Sequence, residues 1–141
     1  MPQASAIRSS TVVLEYAAPP FACSWKLSDS GAAWVQVAGE LDLVTSPQFR
    51  QRMGEARRAA PVVVLDLREL CFIDGSGVHV ILDAADDCGR SGGRLLIVRG
   101  SAQVERVLAL TEISKQVVSF DLAPGEPEPG LSHVLSTALV V

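Results

Sequence analysis

The sequence predicts a single α/β domain, and three observations point that way. An alternating run near the start reads as a β-hairpin. Beyond it, helices of about 10 to 15 residues alternate with short stretches that are apolar throughout, Val62–Leu65 and Leu95–Val98. Such uniform runs suit strands covered by helices better than strands with one wet face. Finally, 141 residues with 48% apolar content suffice for one real core and make a second catalytic domain an unlikely fit.

Taken in order, residues 1–20 mix Ser, Ala and Pro around one apolar burst, Val12-Val13-Leu14, and read as a loosely held arm with room for an edge strand. The domain core is expected over 21–123. Phe21, Cys23, Trp25 and Leu27 alternate with Ala22, Ser24 and Lys26 at the period of a half-buried strand. Ser28-Asp29-Ser30-Gly31 then turns the chain into a second strand, Ala33 to Gly39. A first helix starts near Ser46-Pro47, a cap residue followed by a first-turn proline, with Phe49, Met53, Ala56 and Ala60 inward and its arginines mainly on the wet side. The strand at 62–65 leads through a loop to a second helix, Ser76 to Cys88, closed by Gly89. A third helix covers Ala102 to Leu110 with Val104, Val107 and Leu108 inward, and Val117 to Phe120 forms a last short strand. The stretch 124–130 is too rich in Pro and Gly for regular structure and reads as a linker. Beyond it, Leu131, Val134, Leu135, Ala138 and Leu139 have the spacing of an amphipathic helix, 131–141, that must dock on the domain or on a partner.

Charge and cysteine usage exclude several functions. With 12 basic against 16 acidic residues the net charge is −4, and without a basic run the electrostatic footprint of a nucleic-acid binder is missing. The longest apolar stretch, Ala59 to Leu65, carries Pro61 and falls far short of the roughly 18 residues a membrane span needs. The start, Met1-Pro2-Gln3-Ala4, is not a basic region leading into an apolar one. A cytoplasmic protein with neither nucleic-acid nor membrane partner is expected. Cys23, Cys71 and Cys88 form neither a metal knuckle nor a disulfide framework, so no metal site is expected and burial is the expected role of all three. Cys71 immediately precedes the loop that leads to Asp74-Gly75-Ser76-Gly77, and its oxidation would be the one to disturb a site.

The most distinctive segment runs from Val64 to Gly77 and ends in Asp74-Gly75-Ser76-Gly77, a turn that opens a helix. Two readings stand side by side. Ser76 or Asp74 caps the helix by accepting from an orphan amide, with the glycines making the turn. Alternatively Ser76 is exposed where helix amides and the macrodipole favour an anion, and accepts a phosphate. At about 100° per residue, Val78, Ile81, Leu82, Ala85 and Cys88 share the core side, and Ser76, Val80, Asp83 and Asp87 the opposite one. An exposed Val80 beside a hydroxyl is the mark of a docking surface rather than of a merely solvated acidic face. A serine hydrolase is a remote rival. The nucleophile-elbow pattern G-x-S-x-G is not met, since Val78 stands at its second glycine, and the available bases are His79, awkwardly placed on the same helix, and His133. Phosphate-loop and dinucleotide motifs are absent too, because Arg90 to Arg94 precedes a strand instead of opening a helix.

Three segments together carry a resemblance: Gly39-Glu-Leu-Asp-Leu-Val-Thr-Ser-Pro47, then Leu65 to Gly77, then Gly92-Gly-Arg-Leu-Leu-Ile-Val98 with Val104 to Thr111. In this order and spacing, over about residues 21–120, the chain resembles the STAS domain family, specifically the bacterial anti-sigma factor antagonists. The resemblance implies a mixed sheet of about four to five strands flanked by about four helices, and a protein without catalytic activity. It implies as partner an anti-sigma factor, a serine kinase of the histidine-kinase-like ATPase type. The unphosphorylated antagonist binds that kinase and frees a sigma factor, phosphorylation of a serine inactivates it, and a serine phosphatase resets it. The family's acceptor falls on Ser76, the turn's aspartate on Asp74, and the aspartate of the Gly-Glu-Leu-Asp element, close to the acceptor in the family, on Asp42. Gly75 departs from the serine often found there and so removes a competing hydroxyl. The switch surface implied is Asp42, Asp74, Gly75, Gly77, Val80, Asp83 and Asp87. No cofactor is expected, since ATP and magnesium belong to the kinase. A STAS interaction module that is never phosphorylated is the alternative, and a homodimer is left open.

Overall fold

The computed structural model describes residues 19–129. Expectations for residues 1–18 and for the helix at 131–141, His133 included, lie outside the described residues. Within them the chain forms β1 (Ala22–Leu27), β2 (Ala33–Leu41), α1 (Ser46–Ala59), β3 (Val62–Ile73), α2 (Gly75–Arg90), β4 (Arg94–Val98), α3 (Ala102–Ala109), α4 (Ile113–Gln116) and β5 (Val118–Phe120). The strands make one five-stranded mixed sheet in the order β1-β2-β3-β4-β5. The β1–β2 hairpin is antiparallel and the remaining pairs are parallel. Each parallel connection carries helix, and successive right-handed crossovers to the next strand along place all those helices on one face.

Two rows of the sheet show why the apolar runs are uniform. Val35, Leu65 and Ile97 stand in register on the helix-covered face and join Phe49, Met53, Val78, Ile81, Val104 and Leu108 in the main core. Trp34, Val64 and Leu96 stand in register on the other face, in a smaller cluster with Val98 and Phe120. Both faces are therefore dry over Val63–Leu67 of β3 and Leu95–Val98 of β4, and a fully buried side chain such as Leu65 or Leu96 is worth about 1.5–3 kcal/mol.

The structure corrects the expected elements in four places. The strand at 62–65 does not give way to a loop but continues to Ile73, pairing with β2 through two register shifts. Its polar residues are absorbed because buried Asp66 accepts from Trp34 Nε1 (3.3 Å), Arg68 Nε (3.0 Å) and Arg68 Nη2 (2.8 Å). In β1 the alternation fails at its last residue, since Leu27 is 55% exposed at the sheet edge. Thr45, not Ser46, takes the N-cap position of α1, and the Ser46 hydroxyl instead donates to the Asp42 carbonyl. Cys71 is exposed while Cys23 and Cys88 are buried, because the outer end of β3 presents Cys71 on its wet side. Burial pushes the Cys23 thiol up to about 12, and the Cys88 thiol upward as well.

Residues 121–129 have no regular structure, yet they are fastened to the sheet. Arg68 Nη1 donates to the carbonyls of Ala123 (2.7 Å) and Glu126 (2.8 Å), and Lys26 Nζ lies 3.7 Å from Glu128. This strap leads the chain from β5 back towards β1.

Candidate functional site

Of the candidate residues, Asp42, Asp74, Gly75, Ser76 and Gly77 gather where β2 and β3 end and α1 and α2 begin. Pairing of the two strands runs out to Leu41 and Ile73, and the Asp74 amide still donates to the Leu41 carbonyl at 3.2 Å. Asp42 and Asp74 thus leave adjacent strand ends, and the helices that follow start side by side.

Each carboxylate has a local task. Asp42 Oδ1 accepts from the amides of Val44 and Thr45, both at 3.0 Å, and so folds the turn into α1. Asp74 is the N-cap of α2, its Oδ1 accepting from the Gly77 amide at 3.0 Å. Of the two capping candidates the structure therefore takes Asp74, and Ser76, half-buried in the first turn, makes no side-chain hydrogen bond among the described residues. Gly77 is required by close approach: a Cβ there would stand 2.5 Å from the Leu41 carbonyl oxygen and 2.7 Å from Ile73 Cγ1. Gly75 meets nothing within 4 Å.

The face of α2 differs from the angular expectation. Val80 is not exposed but buried, at 5%. The expectation assumed one neighbour for the helix, whereas α2 packs both on the sheet and against α1. Val80 and Ala84 look into a crevice shared with Arg50, Met53 and Gly54 of α1. Ser76, Val80, Asp83 and Asp87 therefore follow the α1–α2 seam, and the outermost face carries His79 and Asp86. Asp83 Oδ2 pairs with Arg50 Nη1 at 3.0 Å and lies 3.6 Å from His79 Nε2, while Asp87 pairs with Arg90.

At the head of the seam lies an open groove of about 830 Å³, lined from the α1 side by Leu43, Pro47 and Arg50 and from α2 by Ser76, His79 and Val80. Leu43, which lines it, is 74% exposed, and the next residue, Val44, is 86% exposed, so two large apolar side chains stand in water in succession. Neither helix has an acidic residue within its first turn, and the carboxylates of Asp42 and Asp74 accept from the amides at the two helix starts instead. Sequence reasoning missed Leu43, Val44 and Arg50. The exposed Leu-Val pair directly after the Gly-Glu-Leu-Asp element was the signal available. A serine nucleophile needs a base within hydrogen-bond reach, and among the described residues the histidine near Ser76, His79, has its Nε2 3.6 Å from Asp83 Oδ2. No three metal-ligating side chains converge among the described residues, and no described helix is long and apolar enough to cross a membrane.

Comparison with known proteins places this arrangement. The family model of the STAS domain matches residues 28–126. An anti-sigma F factor antagonist from Paenibacillus polymyxa is 34% identical over 93 residues, which are 64% of this chain and 80% of the relative. Among solved structures, an anti-sigma factor antagonist from Mycobacterium paratuberculosis superimposes with a TM-score of 0.68 at 23% identity, over 87% of this chain and 98% of that one. The Bacillus cell fate determinant SpoIIAA in its phosphorylated form superimposes with a TM-score of 0.57 at 17% identity, over 82% and 97% of the two chains. At these identities the structural likeness is one of fold.

Proposed function

The chain belongs to the STAS domain family, with anti-sigma factor antagonists as homologues by sequence and by structure, and from this premise we propose that it is itself such an antagonist. Unphosphorylated, it docks an anti-sigma factor kinase at the groove beside Ser76 and frees a sigma factor. The kinase inactivates it by moving the γ-phosphoryl group of ATP to Ser76 Oγ. The new P–O bond forms as the bond to the β-phosphate oxygen breaks, the serine proton passes to a base on the kinase, and ADP leaves. A serine phosphatase restores the hydroxyl, and the cycle runs in the cytoplasm. The protein acts by binding and not by catalysis.

The observation that carries this reading is an uncommitted Ser76 hydroxyl in a groove lined by exposed Leu43, with exposed Val44 next in the chain. Unpaired apolar side chains of this size on a surface mark a contact with another protein. Asp42 and Asp74 stand at the strand ends beside Ser76, Asp83 and Asp87 follow about two and three turns along α2, and Gly77 lets the turn sit against the end of β2. A phosphate of about −1.5 to −2 charge placed at Ser76 would have to be desolvated in the contact.

The test measures binding of the co-purified kinase by calorimetry to wild type, Ser76→Glu and Ser76→Ala. Ser76→Glu is expected to bind at least tenfold more weakly, a loss of about 1.4 kcal/mol, and Ser76→Ala to bind normally but resist inactivation by ATP. Equal affinity of Ser76→Glu and wild type overturns the switch and leaves a STAS interaction module that is never phosphorylated.

A further inference from the structure

We propose that Arg50 is the residue that reads the phosphate: when Ser76 is phosphorylated, the Arg50 guanidinium leaves Asp83 and pairs with the phosphate across the groove, with His79 as a second ligand. The inference rests on the reading of Ser76 as the acceptor. It adds that inactivation closes the groove rather than only charging it.

Arg50 and Ser76 line the same groove from opposite helices, with His79 between Ser76 and Asp83 on α2. Arg50 is held by one contact, Nη1 to Asp83 Oδ2 at 3.0 Å, and both side chains are substantially exposed, at 53% and 35%. A single-contact ion pair in water is weak and readily exchanged. His79 Nε2 lies 3.6 Å from the same carboxylate oxygen, so two side chains compete for one acceptor. The remaining guanidinium donors are free to form a fork, the geometry that phosphate accepts bidentately and more strongly than a lone carboxylate contact.

The competing anions are placed elsewhere. Asp74 is committed to the Gly77 amide and Asp42 to the amides of Val44 and Thr45. The neighbouring arginines of α1 are also engaged, Arg52 with Glu55 and Arg57 with Ser91. Arg50 is the α1 cation that lines the groove. Its move would lay a guanidinium over the apolar floor at Val80, where the partner's side chain would sit.

The experiment uses the full chain with phosphoserine installed at 76 during translation, so that no kinase is needed. The second ionisation of the phosphate is followed by phosphorus NMR titration in the wild-type background, Arg50→Gln, Arg50→Lys and His79→Gln. Arg50 lowers that ionisation, so the value in Arg50→Gln is expected about one unit higher. Arg50→Lys is expected to restore part of the difference and His79→Gln to cost less than Arg50→Gln. Asp42, Asp74 and Asp83 oppose the shift in every variant, and the differences therefore isolate the cations. Circular dichroism of each variant checks the fold, which a half-exposed Arg50 does not support. Identical titrations of wild type and Arg50→Gln overturn the inference. If phosphoserine at 76 blocks kinase binding while those titrations coincide, the switch stands and only the role of Arg50 falls. If phosphoserine leaves kinase binding intact, the functional reading falls, whatever Arg50 does.

Discussion

Gly75 and Gly77 flank Ser76 and are indistinguishable as letters, yet they do different things. Gly77 lets α2 start against the end of β2, where a Cβ would collide with the Leu41 carbonyl at 2.5 Å. Gly77→Ala is therefore expected to lose about 1–3 kcal/mol to overpacking. Gly75→Ala, with open space around it, is expected to be neutral or to gain up to about 1 kcal/mol through reduced freedom of the unfolded chain. Urea unfolding of the two variants decides this, and equal midpoints would remove the distinction. At this scale the sequence named Asp42, Asp74 and Ser76 as candidates but not how they share the work. It left the cap open between Ser76 and Asp74, and only the bond from the Gly77 amide to Asp74 Oδ1 releases Ser76 for another use. Cys71 escaped in a similar way, because burial depends on which end of a long strand is covered.

Among the elements, those whose pattern depends on one neighbour were legible, and those with two were not. Helix α3 followed its periodicity, turning Val104 and Leu108 to the core, and edge strand β1 followed its alternation as far as Lys26. Helix α2 buries Val80 and Ala84 against α1 as well as Val78 and Ile81 under the sheet, so a one-sided angular count assigned Val80 to water. Strand β3 was cut short in sequence because Asp66, Arg68 and Glu69 interrupt its apolar run. The structure keeps it extended by pairing Asp66 with Arg68 and Trp34. That pair also fastens the strap at Ala123 and Glu126. Arg68→Ala strands the Asp66 carboxylate, 4% exposed, and is expected to cost about 3–5 kcal/mol and to speed amide exchange over 121–128. Replacing both partners together with Leu and Met is expected to cost much less. Hydrogen exchange read by mass spectrometry checks both expectations, and unchanged strap exchange in Arg68→Ala would refute the fastening.

For the whole molecule, composition and the uniform apolar runs were enough to give the class, since a sheet dry on both faces needs them. The resemblance gave the motif order, and the groove between the helix starts emerged only in three dimensions. The fold carries one acid-sensitive clamp. Trp25 Nε1, at 3.0 Å, and Arg52 hydrogen-bond Glu55 and hold its carboxyl below the ordinary 4.5, tying β1 to α1. A carboxyl lowered by folding adds stability that is fully present above its unfolded pKa and is lost as pH falls through its lower folded value. Stability should therefore decline below about pH 4.5, and Glu55→Gln should flatten that decline when unfolding is followed by tryptophan fluorescence across pH 3 to 6. An identical acid limb in the variant would exclude the clamp. The strand order has a consequence of another kind, for how the chain is made. Because β1 to β5 lie in sheet order, each strand leaving the ribosome, at about 5–20 residues per second, adds to the edge formed just before it, and none must be inserted between two already paired. The apolar edge of β3 therefore waits unpaired only until Arg94–Val98 is synthesised, which confines this strand's exposure to aberrant pairing to a few seconds of each synthesis.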